Sequence, residues 1–273
     1  MNFFADIFTY RFLANALAAA LLTGISCGII GCYVVCRRTV FLSGGITHAS
    51  FGGIGLAHFA GVDPMLGAGL FAILSALGIE YASEKVQIRQ DSAIGIMWSL
   101  GMALGVMFIY ITPGYAPDLG GILFGNILAV SRPELTASAV LAAVVTAVFA
   151  IRGRAVMYVA FDRSFARSQG IRTRTVNSVM AVLTATAIVL SIRSVGVVLL
   201  ISLLTFPAVV ANSLTKSFRI MIPLSAAVAV SACVFGLMIS YALDIPAGAS
   251  TVFVLAALLC VVKTVPMKLR TRL

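Results

Sequence analysis

The sequence predicts an all-α fold, that of a polytopic helical membrane protein with about eight to ten membrane helices. Of its 273 residues, 61% are hydrophobic and only 10% are charged, and the mean hydropathy is +1.09. A soluble domain of this length needs much more polar surface. Apolar stretches of roughly twenty residues recur, the length that a helix needs to cross a hydrocarbon core about 30 Å thick. Because no low-complexity linker separates them, residues 1–273 are predicted to form a single transmembrane domain.

The apolar runs place the membrane helices in order along the chain. Spans are predicted at 12–36, 46–61, 64–79, 91–111, 134–151, 175–192, 196–212, 220–241 and 249–263. The second and third are short and are joined by "VDP", which favours a tight hairpin. The segment 119–130, "LGGILFGNILAV", is too short to cross and is predicted to be re-entrant. Nine crossings would place the N-terminus outside the cell.

The basic residues are distributed unevenly between the two predicted sides of the membrane. The net charge is +10, and the side of the tail "KTVPMKLRTRL" holds all but three of the 19 lysines and arginines. The other side holds only Arg11, Arg132 and Arg193. Loops rich in Lys and Arg stay in the cytoplasm, so the C-terminus is predicted to be cytoplasmic. The basicity therefore indicates anionic lipid headgroups, and no nucleic acid, as its partner.

One polar interruption, at about 152–174, lies on the predicted cytoplasmic side. Within it, "FDRSFARSQGI" predicts a short helix that Asp162 caps and Gly170 ends, with Phe161 and Phe165 on one face. The segment is either a surface loop against the headgroups or a docking helix for a soluble partner. Composition alone leaves both possibilities open.

Both histidines of the chain lie in one glycine-rich stretch, "GGITHASFGGIGLAHFAG", at 44–61. In a straight helix His48 and His58 would be about 15 Å apart and about 80° out of phase, so they cannot bind one ion together. Ionisable side chains within a membrane are costly and indicate function, and histidine binds transition metals and carries protons. The alternative is a packing helix whose histidines donate hydrogen bonds to neighbouring carbonyls.

Several classes of protein lack their sequence signatures in this chain. There is no GxxxxGK[ST] phosphate loop, so any ATP must bind to another polypeptide, and the chain itself is predicted not to be an enzyme. Neither histidine is followed by glutamate, which argues against an HExxH metalloprotease. A stand-alone ion-coupled secondary transporter is the alternative function. It would need intramembrane carboxylates, whereas the acidic residues are predicted at span ends or in loops.

Six blocks cover most of the chain, and these are "RRTVFLSGGITHASFGGIGLAHFAG", "DSAIGIMWSLGMALGVMFI", "DLGGILFGNILAVS", "FDRSFARSQGI", "SVGVVLLISLLTFPAVVANSLTKS" and "SYALDIPAGASTV". In content and in order they resemble the permease subunits of ABC importers for zinc, manganese or iron. The family typically shows a Ser-His pair with an aspartate four residues before the histidine. Thr47-His48 matches the pair, but Gly44 stands in the place of the aspartate.

The resemblance implies roles for particular residues. His48, with Thr47 beside it, would contact a divalent metal ion in transit, and Asp118 and His58 are weaker candidates along the same path. Asp118 either supplies an oxygen near the entrance or caps the short helix that follows it. The ATPase-coupling residues implied by the resemblance are Phe161, Asp162, Phe165, Ala166, Gly170 and Ile171.

The resemblance also implies an assembly in the bacterial cytoplasmic (inner) membrane. Its expected members are a second copy of this chain, two cytoplasmic ATPase subunits and an extracytoplasmic metal-binding protein. No permanently bound cofactor is expected. The metal ion would be the transported substrate, and ATP would bind to the partner subunits.

Overall fold

The computed structural model describes residues 6–7, 9–113 and 125–264. Within them the chain forms nine α-helices of six residues or more and one 3-10 turn, Ile127–Ala129. The α-helices are α1 Arg11–Cys36, α2 Phe41–Phe59, α3 Pro64–Lys85, α4 Gln90–Ile111, α5 Arg132–Phe161, α6 Arg163–Ser168, α7 Thr173–Leu214, α8 Phe218–Leu243 and α9 Ala247–Thr264.

The all-α membrane fold is confirmed. Seven of the described helices are long and apolar enough to cross a membrane, and these are α1, α3, α4, α5, α7, α8 and α9. The glycine-rich α2, which carries both histidines, is less apolar and falls outside the seven. When α2 and the two halves of α7 are counted separately, the described helices traverse the bundle nine times. This number lies within the predicted range.

The longest helix, α7, is divided by a reversal of the chain at Gly196. Tyr33 near the end of α1 contacts Asn177 in the first half, with 3.3 Å between Oη and Oδ1. Gly31 lies so close to Leu204 in the second half that a Cβ would meet its carbonyl oxygen at 2.5 Å. A straight helix would put these two contacts about 40 Å apart. These contacts therefore show that the two halves run antiparallel, and the halves match two predicted spans. The break has φ 76° and ψ 167°, a conformation that glycine tolerates.

Two helix boundaries differ from the predictions because tertiary packing overrides local composition. Helix α2 begins at Phe41 rather than at residue 46, since Gly45 packs closely against Ile94 of α4. Helix α5 continues to Phe161 instead of ending at 151, because it still buries Val156 and Met157 against the bundle. The predicted polar segment is therefore shorter than expected, and its first ten residues belong to α5.

Helices α2 and α4 meet along a seam of small residues. A Cβ at Gly105 would meet the carbonyl oxygen of Phe51 at 2.6 Å, and one at Gly101 would meet that of Ala49 at 2.7 Å. From the other side, a Cβ at Gly55 would lie 2.5 Å from the carbonyl oxygen of Gly105. Real Cβ atoms do not come this close, so the two backbones touch only because these positions are glycine.

Two glycine pairs at four-residue spacing, Gly24–Gly28 and Gly101–Gly105, pack within the chain. The pair Gly24 and Gly28 on α1 faces α8, where a Cβ would meet Val230 Cα at 3.1 Å or Ala226 Cα at 2.7 Å. Small residues at this spacing can join helices of one chain or helices of two copies. In this protein the Gly24–Gly28 and Gly101–Gly105 pairs stabilise the single bundle.

The predicted hairpin of α2 and α3 is also present. Helix α2 ends at Phe59 and α3 begins at Pro64, with Asp63 as its N-cap. The Asp63 carboxylate accepts a hydrogen bond of 2.7 Å from the backbone N–H of Met65. Of the predicted re-entrant segment, only 125–130 lies among the described residues. There the backbone N–H of Asn126 donates to the carbonyl of Arg193 beside the break in α7.

Candidate functional site

His48 lies near the middle of α2, and its imidazole stacks on the indole of Trp98 in α4. The ring centroids are 4.3 Å apart and the planes are nearly parallel, at 8°. Phe51 lies farther from the imidazole, with 6.1 Å between centroids. The Nδ1 atom of His48 is buried and has no hydrogen-bond partner among the described residues. The packing alternative, in which the imidazole donates to a nearby carbonyl, therefore finds no support at Nδ1.

Neighbouring helices cover α2 almost completely, and a narrow outward strip is left. On this strip Phe41, Leu56 and Phe59 are 76%, 45% and 52% exposed, and His48 is partly exposed between them. The spacing of these residues by seven, eight and three keeps them on one helix face. Since the other three are apolar, His48 is the polar residue of this outward strip. His58, which is also partly exposed, lies about 80° away around the helix.

Thr47 and Gly44, the other residues of the sequence-derived site, lie inside the bundle. Thr47 is fully buried, and its hydroxyl donates a 2.7 Å hydrogen bond to the carbonyl of Ser43. A Cβ at Gly44 would meet the Trp98 ring at 3.6 Å and Ile201 at 3.7 Å, which is ordinary van der Waals contact. Trp98 therefore covers both His48 and the Gly44 position. The role of Thr47 in the pathway stays a prediction.

The remaining pathway candidates are not brought to His48. His58 lies in the last turn of α2, about 15 Å away at 1.5 Å per residue. Asp118 lies outside the described residues. Asp63 caps α3, and Asp244 ends α8 in the left-handed conformation with φ 53°. These two acids therefore occupy helix ends, as the sequence indicated.

The short helix of the polar segment forms as predicted, and its cap is the predicted one. Helix α6 spans Arg163–Ser168, and the Asp162 carboxylate accepts hydrogen bonds from the backbone N–H groups of Ser164 and Phe165 at 2.8 and 3.0 Å. Gly170 follows the helix with φ +74°, and the N–H of Ile171 donates to the Ala166 carbonyl. This is a glycine-dependent helix end.

The two phenylalanines of this segment do not share a helix face, contrary to the prediction. Phe161 is the last residue of α5, and extended backbone at Asp162 separates it from α6. Its ring packs on Phe218 at 4.7 Å, whereas the Phe165 ring meets Tyr158 edge-on at 5.5 Å. Phe161 and Phe165 remain 57% and 47% exposed, while Ala166 is fully buried and anchors α6.

A buried carboxylate that the sequence reading missed lies beneath α6. Glu80 is buried and belongs to α3, where the predicted span ended one residue earlier. Its partners are Arg37 at the end of α1 and Arg163 at the start of α6. Burial lowers the pKa of Arg37, but Tyr33 and Glu80 beside it raise this pKa above its ordinary value, so the guanidinium stays charged. The sequence feature that could have pointed to Glu80 is the presence of Glu84 four residues later, on the same helix face.

Three of the five cysteines, Cys27, Cys32 and Cys233, are buried and pack inside the bundle. Cys32 Sγ lies 3.6 Å from the carbonyl oxygen of Gly28 and 3.7 Å from that of Met221, inside the bundle. All five cysteines of the chain are free thiols. Within the described part of the chain, no three His, Cys, Asp or Glu side chains are grouped so that they could hold a metal ion. His48 thus stands without companion ligands among the residues described.

Comparison with known proteins places this chain in a family. The ABC 3 transport family matches residues 9–265. The chain is 33% identical over 256 residues to the manganese transport system membrane protein MntC of Halalkalibacterium halodurans, covering 94% of this chain and 88% of MntC. It is 32% identical over 253 residues to the chelated iron transport system membrane protein YfeD of Yersinia pestis, covering 92% and 84% of the two chains.

A solved structure agrees with this placement. PsaBC from Streptococcus pneumoniae, determined in complex with Fab, contains a chain that matches with a TM-score of 0.83 and 31% identity. The match covers 96% of this chain and 95% of that one. Sequence and fold agree over nearly the whole length, so the chain belongs to the ABC 3 transport family.

Proposed function

We propose that this chain is the membrane-spanning subunit of an ATP-driven importer for divalent transition-metal ions, namely zinc, manganese or ferrous iron. The observation that carries the proposal is the outward-facing imidazole of His48 on an otherwise apolar strip of a membrane helix. Ionisable groups in membrane helices face an assembly interior or a water-filled path, because lipid is a costly environment for them. Imidazole accepts all three metals. The names of MntC and YfeD, which refer to manganese and chelated iron, support this substrate class.

The pathway would lie between two copies of the chain. One imidazole binds an ion weakly, and a second copy would bring its own His48 to the same ion. Weak binding suits a passage that must release the ion it admits. In this arrangement Thr47 supports the helix behind His48, and His58 and Asp118 lie farther along the path.

Helix α6 would dock on the cytoplasmic ATPase subunits, which would bind and hydrolyse ATP in place of this chain. The exposed Phe165 ring and the buried Ala166 support this role, since one side of α6 is anchored and the other is free to fit a groove. Closure of the ATPases would move α6 and switch the pathway between outward- and inward-facing states. Phe161, Asp162, Gly170 and Ile171 would shape the same surface.

The remaining partner would be an extracytoplasmic metal-binding protein at the opposite end of the bundle, near Asp63 and Asp244. Residues 1–273 would act as one transmembrane domain in the bacterial cytoplasmic membrane, with the C-terminus in the cytoplasm. A stand-alone secondary transporter is less well supported. Its best coupling carboxylate would be Glu80, and two arginines already neutralise that group.

The orientation can be tested by labelling from outside. In a cysteine-free background, Val62→Cys and Ile245→Cys are expected to react with a membrane-impermeant maleimide in intact cells. Ser168→Cys on α6 is expected to react only after the membrane is opened, because basic loops stay inside. All three positions are exposed, so the reaction depends on the side of the membrane on which each position lies and not on burial. Reaction of Ser168→Cys in sealed cells would reverse the proposed topology.

The docking role can be tested by co-purification of the ATPase subunit with the chain. Phe165→Asp places a charge on an exposed aromatic contact and is expected to reduce the recovered ATPase about tenfold or more. Phe165→Tyr keeps the ring and is the matched control, with recovery near that of the wild type. If the Asp variant recovers the ATPase in full and uptake stays coupled to hydrolysis, α6 is only a surface loop.

A further inference from the structure

Six buried or half-buried side chains form a closed ring at the end of the bundle that carries α6. Each touches the next through a hydrogen bond or ion pair, and the ring joins α1, α3, α6 and α7. We call it the polar ring, and its members in order are Tyr33, Arg37, Glu80, Arg163, Glu84 and Asn177.

Glu80 connects the end of α1 to the start of α6. One nitrogen of Arg37, Nη2, donates to both carboxylate oxygens of Glu80, at 2.6 and 2.7 Å. Arg163 Nη2 donates to Oε1 of the same carboxylate at 3.1 Å. The carboxylate therefore holds two guanidiniums from different helices.

Glu84, one turn farther along α3, completes the ring. It lies 3.5 Å from Arg163 Nη1 and accepts a 2.9 Å hydrogen bond from the Asn177 side-chain amide. Asn177 Oδ1 accepts from the Tyr33 hydroxyl at 3.3 Å, and that hydroxyl accepts from Arg37 Nη1 at 2.6 Å. Arg163 is the one member of the ring that α6 supplies, and it bridges both glutamates of α3.

The ring is balanced in charge, and three of its four charged side chains are largely shielded from solvent. Its two arginines match its two glutamates, and the side chains of Arg37, Glu80 and Glu84 are 5%, 7% and 14% exposed. Shielded ion pairs resist separation, since opening one would leave a charge without its partner or water. Arg163 is 30% exposed and is therefore the most accessible part of the ring.

Helix α3, with which Arg163 forms two ion pairs, packs directly on α2. At Gly53 of α2 and Gly67 of α3 the backbones touch, because neither position has room for a Cβ. A displacement of α6 transmitted through Arg163 would therefore move α3, and α3 would carry α2 and His48 with it. The contact between α6 and the pathway runs through two carboxylates and one pair of glycines.

We infer that Arg163 is a positioning residue that transmits the movement of α6 to the helices of the pathway through Glu80 and Glu84. This inference rests on the proposed function. Arg163 is also the cleanest member of the ring to remove. Without it, Glu80 keeps both bonds to Arg37, and Glu84 loses its ion pair but keeps the hydrogen bond from Asn177.

The test compares transport with hydrolysis in proteoliposomes that contain the chain, its ATPase subunits and the metal-loaded binding protein. Arg163→Met keeps the length of the side chain but removes its charge. We expect about fivefold or more fewer metal ions taken up per ATP hydrolysed, with the ATPase still co-purifying because the Phe165 surface is intact. Arg167→Met is the matched control on the same helix. Arg167 contacts the Thr173 hydroxyl at 3.3 Å and lies outside the ring, so its variant should keep the wild-type ratio.

A second variant keeps the inference testable if Arg163→Met fails to fold. Arg163→Lys retains one positive charge but lacks the planar guanidinium that contacts both glutamates. We therefore expect an intermediate number of metal ions taken up per ATP hydrolysed. Wild-type ratios in every folded Arg163 variant would overturn the inference alone and reduce Arg163 to a structural contact. Absence of ATP-driven uptake by the wild-type complex would overturn the proposed function as well.

Discussion

Replacement of His48 by alanine is expected to lower metal uptake at least about tenfold without lowering the amount of protein in the membrane. The imidazole is the polar group of the outward strip of α2, so its loss would remove the ion contact proposed for the pathway. Radiometal uptake in membranes matched for protein content measures the effect. The family assignment does not depend on the result, since it rests on the whole chain.

Two further variants separate ion contact from packing at this position. His48→Phe keeps an aromatic ring that can stack on Trp98, and His48→Asn keeps a polar side chain that can donate a hydrogen bond. Neither supplies an imidazole nitrogen, so neither is expected to restore uptake. Near-normal uptake by His48→Phe would show that the stack, and not metal contact, is what this position requires.

Substitution of Gly105 by alanine is expected to destabilise the protein strongly. The new Cβ would lie 2.6 Å from the carbonyl oxygen of Phe51, and a backbone atom cannot rotate away as a side chain can. Overpacking of this kind typically costs about 1–3 kcal/mol, and separation of α2 from α4 would place the variant toward the upper end. The loss is measured as a lower midpoint for heat-induced aggregation of the detergent-solubilised protein.

Gly95 on the same helix provides the matched control. A Cβ there would meet nothing within 4 Å, so Gly95→Ala adds only helix propensity. It is expected to leave stability unchanged or to raise it by up to about 1 kcal/mol. Equal midpoints for the Gly95 and Gly105 variants would mean that the seam between α2 and α4 does not determine the stability of the bundle.

Much of the fold follows from composition, because the hydrocarbon core imposes both length and polarity on every crossing. The hairpin at Asp63 and the separate spans before and after Gly196 were accordingly predicted. The helix boundaries that were predicted wrongly are determined by contacts with other helices. Helix α2 extends back to Phe41 because α4 packs against its glycines, and α5 passes 151 because its apolar face continues. Such contacts join positions far apart in the chain, which periodicity along one segment does not reveal.

The candidate site also combines features that nearby residues determine with features that depend on contacts between helices. The cap at Asp162 and the positive φ of Gly170 were predictable, since both depend on neighbours within a few residues. The stack of Trp98 on His48 joins two helices, and a single tryptophan in a run of apolar residues gave no sign of its partner. Glu80 was missed because it was assigned to a loop, whereas it lies in a helix and faces arginines from two other segments.

The backbone contact between α2 and α4 also limits how the pathway can open. Sliding one helix past the other would drive carbonyl oxygens into the Cα atoms of Gly101 and Gly105, with no side chains there to rearrange. We therefore expect the two helices to travel as one block, with Trp98 kept against the His48 ring. A transport cycle built on this chain would then change the distance between such blocks, while the His48–Trp98 stack keeps its geometry in every state.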